Sequence, residues 1–330
     1  MGFMDLFYQC FFIPKPSLTE KNLSDQGGRV FIVTGAYAGV GLELASTLYS
    51  RNGTVYVAGR SKDKGNAAIE SIKSKYPESK GRLEFHHVDL ADLATIKRSA
   101  QEFMKKEDRL DVLTNNAGVM VPPAGSKSAQ GYELQMATNC LGPYLFTTSL
   151  LPLLQKTAAS SPPGTVRVTW AGSLGVDVYS PFRGGLDFDD ATAHPKTHRL
   201  QETNYGQSKV GNVFLATEFS RRYARSGIIS NAWNPGNLKS ELQRHSNWLK
   251  VVGTSWLLYP PVLGAYTELW AGWSEEAGRQ ENNGRYIVPW GRFGSFRDDI
   301  VRSLRSERDG GNGKAERFWE WCEKESKEFA

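Results

Sequence analysis

The chain has 330 residues, 40% of them hydrophobic and 23% charged, with a formal net charge of +5. That length allows two domains at ~150 residues each, although an α/β fold of this size can be single, and the composition supports a buried core. The charge is mild and carries no Lys/Arg run or basic–aromatic stripe, which argues against a nucleic-acid partner. Cys10, Cys140 and Cys322 are far apart and form no Cys-x-x-Cys, so no disulfide framework is expected. The histidines are scattered, and Pro195 between His194 and His198 argues against a helical ligand pair, so no metal site is expected.

Residues 1–27 read as an N-terminal arm. Its opening, "MGFMDLFYQCFFIPKP", is apolar but meets Pro14 after 13 residues, short of the ~20 that a membrane span needs. It lacks a basic leader and a small-residue cleavage site, so a signal peptide is not expected. The expectation is an arm packed on the domain of a cytoplasmic protein, with peripheral membrane contact as the alternative.

From residue 28 onward, strands and helices alternate. "GRVFIVTG" (28–35) is an apolar run ending in glycine, the pattern of a buried strand. "GVGLELASTLYSRNG" (39–53) has helical spacing and stops at Asn52-Gly53. A strand "TVYVAGR" (54–60) and a polar helix over about 61–76, ended by Pro77, come next. "RLEFHHVDL" (82–90) reads as a strand, "DLATIKRSAQEFMKK" (92–106) as a helix and "RLDVLTNNAG" (109–118) as a strand with its turn. Residues 129–155 read as a helix closed near Pro152, "GTVRVTWAGS" (164–173) as a strand, and 174–202 as an inserted loop. The helix holding "TNYGQSKVGN" (203–212) and the strand "GIISNAWNPG" (227–236) follow. Residues 237–273 form an apolar insertion rich in Trp, Leu and Val, and "ERFWEWCEKESKEF" (316–329) reads as an amphipathic helix packed on the core. This alternation predicts an α/β fold, a doubly wound parallel sheet with helices on both faces, in a single domain over 28–330.

Three stretches carry chemistry. In "TGAYAGVG" (34–41), Gly35, Gly39 and Gly41 let backbone approach a ligand, and the helix that follows offers free N–H groups to a pyrophosphate. Tyr37, Ala38 and Val40 complete the turn, whose Gly-x-x-x-Gly-x-Gly spacing also fits a plain tight turn. The next strand ends "AGR". A dinucleotide site for an unphosphorylated ribose commonly places an acid there. Here Gly59 takes that place and Arg60 follows, whose planar fork suits a 2′-phosphate, with Ser61 and Lys64 close by. This pattern predicts NADP(H). Finally, Tyr205 and Lys209 share a helix face with Ser208 and Asn212. Alone, that stripe fits a solvated edge with a snorkelling lysine as well as it fits an acid–base pair.

Taken in order, these segments resemble the short-chain dehydrogenase/reductase family, in the branch with Thr-Gly-x-x-x-Gly-x-Gly rather than the extended branch. The resemblance runs from about 28 to 288, on "TGAYAGVG", "VDL" (88–90), "NNAG" (115–118), Asn139, Ser173, "YGQSK" (205–209) and "NPGNLKS" (234–240). "FDD" and the long loop before the tyrosine are similar to retinol-dehydrogenase-like and WW-domain-oxidoreductase-like members, and to fungal reductases. The resemblance implies a single Rossmann-type sheet with an apolar substrate-loop insertion. It implies that Asp89 and Leu90 meet the adenine ring and that Asn115, Asn116, Ala117 and Gly118 line the adenosine side. Asn139 would hold a water in a proton relay, and Ser173 would hydrogen-bond the substrate carbonyl. Tyr205 would be the acid/base with Lys209 as its partner. Pro235 and Gly236 would cover the nicotinamide, followed by Leu238 and Ser240. Three departures stand out: "GS" replaces the usual serine doublet, Ser240 replaces a threonine, and Tyr37-Ala38 replaces residues that are often polar or basic.

A tyrosine normally titrates near ~10, and a lysine one turn away together with a cationic nicotinamide is expected to lower that value. The expected activity is therefore NADPH-dependent reduction of a hydrophobic or aromatic ketone or aldehyde, or alcohol oxidation in reverse, with Tyr205 as general acid/base. Trp248, Trp256 and Tyr259, with Leu257 and Leu258, are candidate walls of the substrate pocket, or else packing or a homodimer contact. Two alternatives stay open: a membrane-surface, retinol- or steroid-like dehydrogenase, and a non-catalytic NADP(H)-binding sensor or scaffold.

Overall fold

The apolar run after the arm forms β1 (Val30–Thr34), buried at every position. The structure, a computed structural model, describes residues 7, 9–239 and 258–330. Ser240, Trp248, Trp256 and Leu257 therefore lie outside the described residues.

The alternation expected from the sequence follows: α1 (Gly39–Ser50), β2 (Thr54–Gly59), α2 (Lys62–Lys75), β3 (Arg82–His87), α3 (Leu93–Lys106) and β4 (Val112–Asn115). Then come α4 (Gly142–Ala159), β5 (Arg167–Ala171), α5 (Gln201–Arg222), β6 (Ile229–Trp233) and α6 (Pro261–Trp273). The chain closes with β7 (Tyr286–Val288), β8 (Arg292–Gly294) and α7 (Lys314–Ser326). The sheet order is β3-β2-β1-β4-β5-β6-β7-β8, parallel except for the last pair. At its centre Ile32 pairs with Tyr56 on one side and Leu113 on the other.

Both faces are covered, as a parallel sheet requires. One cluster joins Ile96 and Phe103 of α3, Leu150 of α4, Phe214 of α5 and Phe318 of α7 to one face. The other joins Leu44 and Leu48 of α1, Ile69 of α2 and Leu269 of α6 to the opposite face.

Three expectations need correction. Pro152 does not close its helix but lies inside α4, which continues to Ala159. Buried Leu150, Leu153 and Leu154 hold that turn by packing, which overrides the missing N–H. Ahead of α4, the segment Ala137–Leu141 is a π-turn. Pro143 supplies the reason: without an N–H it cannot donate to the Asn139 carbonyl, so the α-helical ladder breaks there. The inserted loop contains one short helix, Gly175–Val178. Among the described residues no helix is long and apolar enough to cross a membrane.

Candidate active site

The strand order reverses between β1 and β4, the point where open α/β sheets take ligands. A cavity of about 530 Å³ lies there, within the range of small-molecule and cofactor sites. Gly35, Tyr37, Ala38, Gly39 and Val40 form one wall. Gly35 and Gly39 have φ of +69° and +58°, a backbone that side chains resist. Ala38 gives α1 no side-chain cap, and the first turn holds no acid, so the N–H groups of that helix end are free for an anion. This turn fits a pyrophosphate. Gly41 does not line the cavity; its α-carbon packs against the Asn116 side chain.

Gly59 and the exposed Arg60 form the next part of the wall. Ser61 and Lys64 lie off the cavity: the Ser61 hydroxyl accepts the Lys64 N–H and caps α2. Asp89 and Leu90 line it, the Asp89 carboxylate accepting the Ala91 N–H at 2.9 Å. Asn116, Ala117 and Gly118 follow from β4. Asn115 faces the core instead and donates to Thr147 at 3.0 Å. Pro235, Gly236 and Leu238 close the site from above β6.

The polar stripe of α5 is buried throughout. Lys209 does not snorkel. Its Nζ donates to the Ala171 carbonyl at 3.0 Å, and Asn212 donates to the same oxygen at 2.8 Å. Nζ also lies 5.6 Å from the centroid of the Tyr205 ring. Asn139, presented by the π-turn, donates to the Val119 carbonyl at 3.0 Å and to the Ser208 hydroxyl at 2.9 Å. Its own Oδ1 accepts the Val119 N–H at 2.8 Å. Ser208 in turn donates to the Tyr205 carbonyl at 2.8 Å, tying the π-turn to the tyrosine's own helix turn. A Cβ at Gly118 would come within 3.1 Å of Asn139 Oδ1 and 3.4 Å of Lys209 Nζ, so the bare backbone there lets the cavity approach both.

Ser173, just past β5, hydrogen-bonds the Tyr205 phenol and accepts the Gly175 N–H at 3.0 Å. Burial pushes Tyr205 above the usual tyrosine range, and the Ser173 bond pulls it back only in part. Desolvation, with the neighbouring Tyr179, sets the direction of the shift, and Lys209 is not among the groups that lower it. Lys209 responds to the same burial and drops to about 8.

The far end of the cavity is apolar, with Met120, Leu174, Val178, Tyr179 and Leu258 around Ser173 and Tyr205. Tyr259 is not part of it. Its hydroxyl donates to the Cys10 carbonyl at 3.3 Å and its ring packs 4.8 Å from Trp290. Neighbouring residues of an extended segment point to opposite sides, so Leu258 takes the cavity side.

Sequence reasoning missed two supports. Gly175 leaves room for the Tyr205 ring, since a Cβ there would lie 3.2 Å from its Cε1. Tyr286 of β7 donates to the Ser173 carbonyl at 3.1 Å. The apolar triplet Tyr286–Val288 was the available signal for that strand.

A family model described as short chain dehydrogenase matches residues 29–164. A short-chain dehydrogenase/reductase from Phomopsis amygdali is 46% identical over 318 residues, covering 95% of this chain and 94% of that protein. Among solved structures, an uncharacterized protein from Mycobacterium Paratuberculosis matches with a TM-score of 0.66 at 25% identity, covering 94% of this chain and 97% of that one. An NADPH-bound carbonyl reductase from chicken fatty liver matches with a TM-score of 0.60 at 20% identity, covering 82% and 100%. Identity of that extent along nearly the whole chain, on a sheet of this topology, makes the protein a member of the short-chain dehydrogenase/reductase family of oxidoreductases.

Proposed function

We propose that the protein is an NADPH-dependent carbonyl reductase, running in reverse as an alcohol dehydrogenase, that acts on a hydrophobic or aromatic ketone or aldehyde. The observation that carries this reading is the hydrogen-bonded Ser173–Tyr205 pair on the cavity wall with Lys209 one turn behind it. Gly35, Gly39 and the free end of α1 would hold the pyrophosphate, Asp89 and Asn116 the adenosine side, and Pro235 and Gly236 the nicotinamide side. Arg60 would meet the 2′-phosphate, which favours NADP(H). The likeness to the NADPH-bound chicken reductase supports the same choice at the level of fold.

Bound NADPH supplies the hydride that reaches the carbonyl carbon. Tyr205 gives its proton to the carbonyl oxygen and leaves as a phenolate. Ser173, anchored by accepting the Gly175 N–H, would turn its own proton to that oxygen. Lys209 is charged below about pH 8 and then favours the phenolate through the ring it faces. The apolar end formed by Met120, Leu174, Val178 and Leu258 excludes water and suits an apolar carbonyl.

One observation favours a lipid-surface version of this reaction: Val178 and Tyr179 line the cavity yet remain 48% and 43% exposed. Flotation with liposomes separates the two versions. We read residues 28–330 as one domain, because all eight strands among the described residues join a single sheet. The three free thiols fit a reducing compartment such as the cytoplasm. The primary test is NADPH oxidation against a panel of ketones, aldehydes and quinones, with NADH in parallel. Turnover of an apolar carbonyl with a higher kcat/KM for NADPH is expected. Binding of NADPH without turnover of any panel member sinks the enzymatic reading.

A further inference from the structure

Glycine at the end of β2 has a structural reason beyond the absence of an acid. A Cβ on residue 59 would overlap Cε1 of Tyr37 and come within 3.2 Å of its Cδ1 and 3.3 Å of its Cζ. The Tyr37 ring therefore occupies the volume that any side chain at 59 would enter. It is held there from two sides. The positive φ of Gly35 sets the turn that carries it, and the ring packs against the cluster of Leu44, Val57 and Ile69. Tyr37, Gly59 and Arg60 all line the same cavity.

We infer that Tyr37 is a specificity-determining residue for the cofactor, its ring filling the place from which a carboxylate would grip the adenosine ribose. This rests on the NADP(H) reading above. An acid at that place would accept from the 2′- and 3′-hydroxyls of an unphosphorylated ribose and repel a 2′-phosphate. With the place taken by an uncharged ring, the diol has no acceptor from β2 and the phosphate meets no repulsion. Arg60, the next residue, then offers a charge-assisted contact that goes to phosphate alone. Positions 37 and 59 are thus coupled: the acid of an NAD site cannot be installed at 59 while the ring stays.

The test is a double-mutant cycle of wild type, Gly59→Asp, Tyr37→Ser and the pair. Its readouts are Kd for NADP+ and NAD+ by calorimetry and Tm of each protein without cofactor. Gly59→Asp alone should lower Tm and weaken NADP+ by more than about tenfold, with little gain for NAD+. Adding Tyr37→Ser should restore Tm and raise NAD+ affinity at least about tenfold above wild type. A wild type that binds NAD+ as tightly as NADP+ overturns the cofactor reading. A wild type that prefers NADP+, with effects at 37 and 59 that simply add, overturns this inference alone.

Discussion

Tyr205 and Lys209 illustrate what single residues contribute. In the sequence they were two polar positions one turn apart, and spacing alone did not separate an acid–base pair from a solvated edge. Burial removes the solvated edge, because both groups lie inside and face Gly118 or Ser173 rather than water. Tyr205→Phe should fold and bind cofactor, but lower kcat by roughly 10²–10⁴, the loss expected for a general acid. Steady-state rates check this, and a near-wild-type kcat contradicts the assignment. Lys209 bears on pH. Alcohol oxidation needs the phenolate, so its rate climbs with pH as Tyr205 loses its proton. Lys209→Met removes the positive charge present below about pH 8. The climb should move to higher pH and the rate at neutral pH should fall. An unmoved pH–rate profile would mean the lysine does not bear on the tyrosine. At other positions residue type misled. Tyr259 looked like a pocket wall and is a clamp on the arm, because the side a residue faces is set by the backbone and not by its apolarity.

At the scale of elements, β1 and β2 were legible as apolar runs ending near glycine, and β3 to β6 as short segments with recurring apolar residues between polar turns. The strands β7 and β8 were not, since three residues each leave no period to read. The π-turn was hidden for another reason: Pro143 and Asn139 are each unremarked alone, and only their four-residue separation removes the hydrogen bond. Helix α6 holds the least expected residue of the core. Glu268 is fully buried, and neither carboxylate oxygen has a partner. Burial drives its pKa well above the usual 4.5. The folded value is raised above the unfolded one. Its contribution is therefore complete below about pH 4.5 and is lost as pH climbs toward the folded value. Glu268→Gln removes that loss and should stabilise the protein at pH 8 by about 1–3 kcal/mol while changing little at pH 5. Thermal unfolding at the two pH values checks this, and an equal difference at both would show that the carboxyl does not titrate in this way. Arg167 of β5 is also buried without a carboxylate, but it is satisfied. It donates to the carbonyls of Gly164, Ala271 and Ser274, and so fastens the end of α6 to the sheet.

Across the whole molecule, the two chain ends are tied to its middle. Lys97 donates to the Ala330 carbonyl at 2.7 Å, and Tyr132 donates to Glu325 at 2.6 Å. The arm is tied in the same way. Tyr266 donates to Glu20 at 2.6 Å, and Cys10 hydrogen-bonds Asn237, a residue of the cavity wall. The sequence suggested an arm lying on the domain but gave no hint that it braces the site, because nothing local records a contact so distant. Deleting residues 1–12 should leave kcat near wild type and raise KM for NADPH roughly threefold to tenfold, the effect of one or two lost hydrogen bonds. An unchanged KM would show that the arm does not brace the wall. The Tyr259–Cys10 bond spans 249 residues of chain. On the ribosome, Cys10 must therefore wait for a partner made 249 residues later. A nascent chain that already carries the glycine turn and Tyr205 is still unbraced, and its arm stays open to proteases until residue 259 has cleared the exit tunnel.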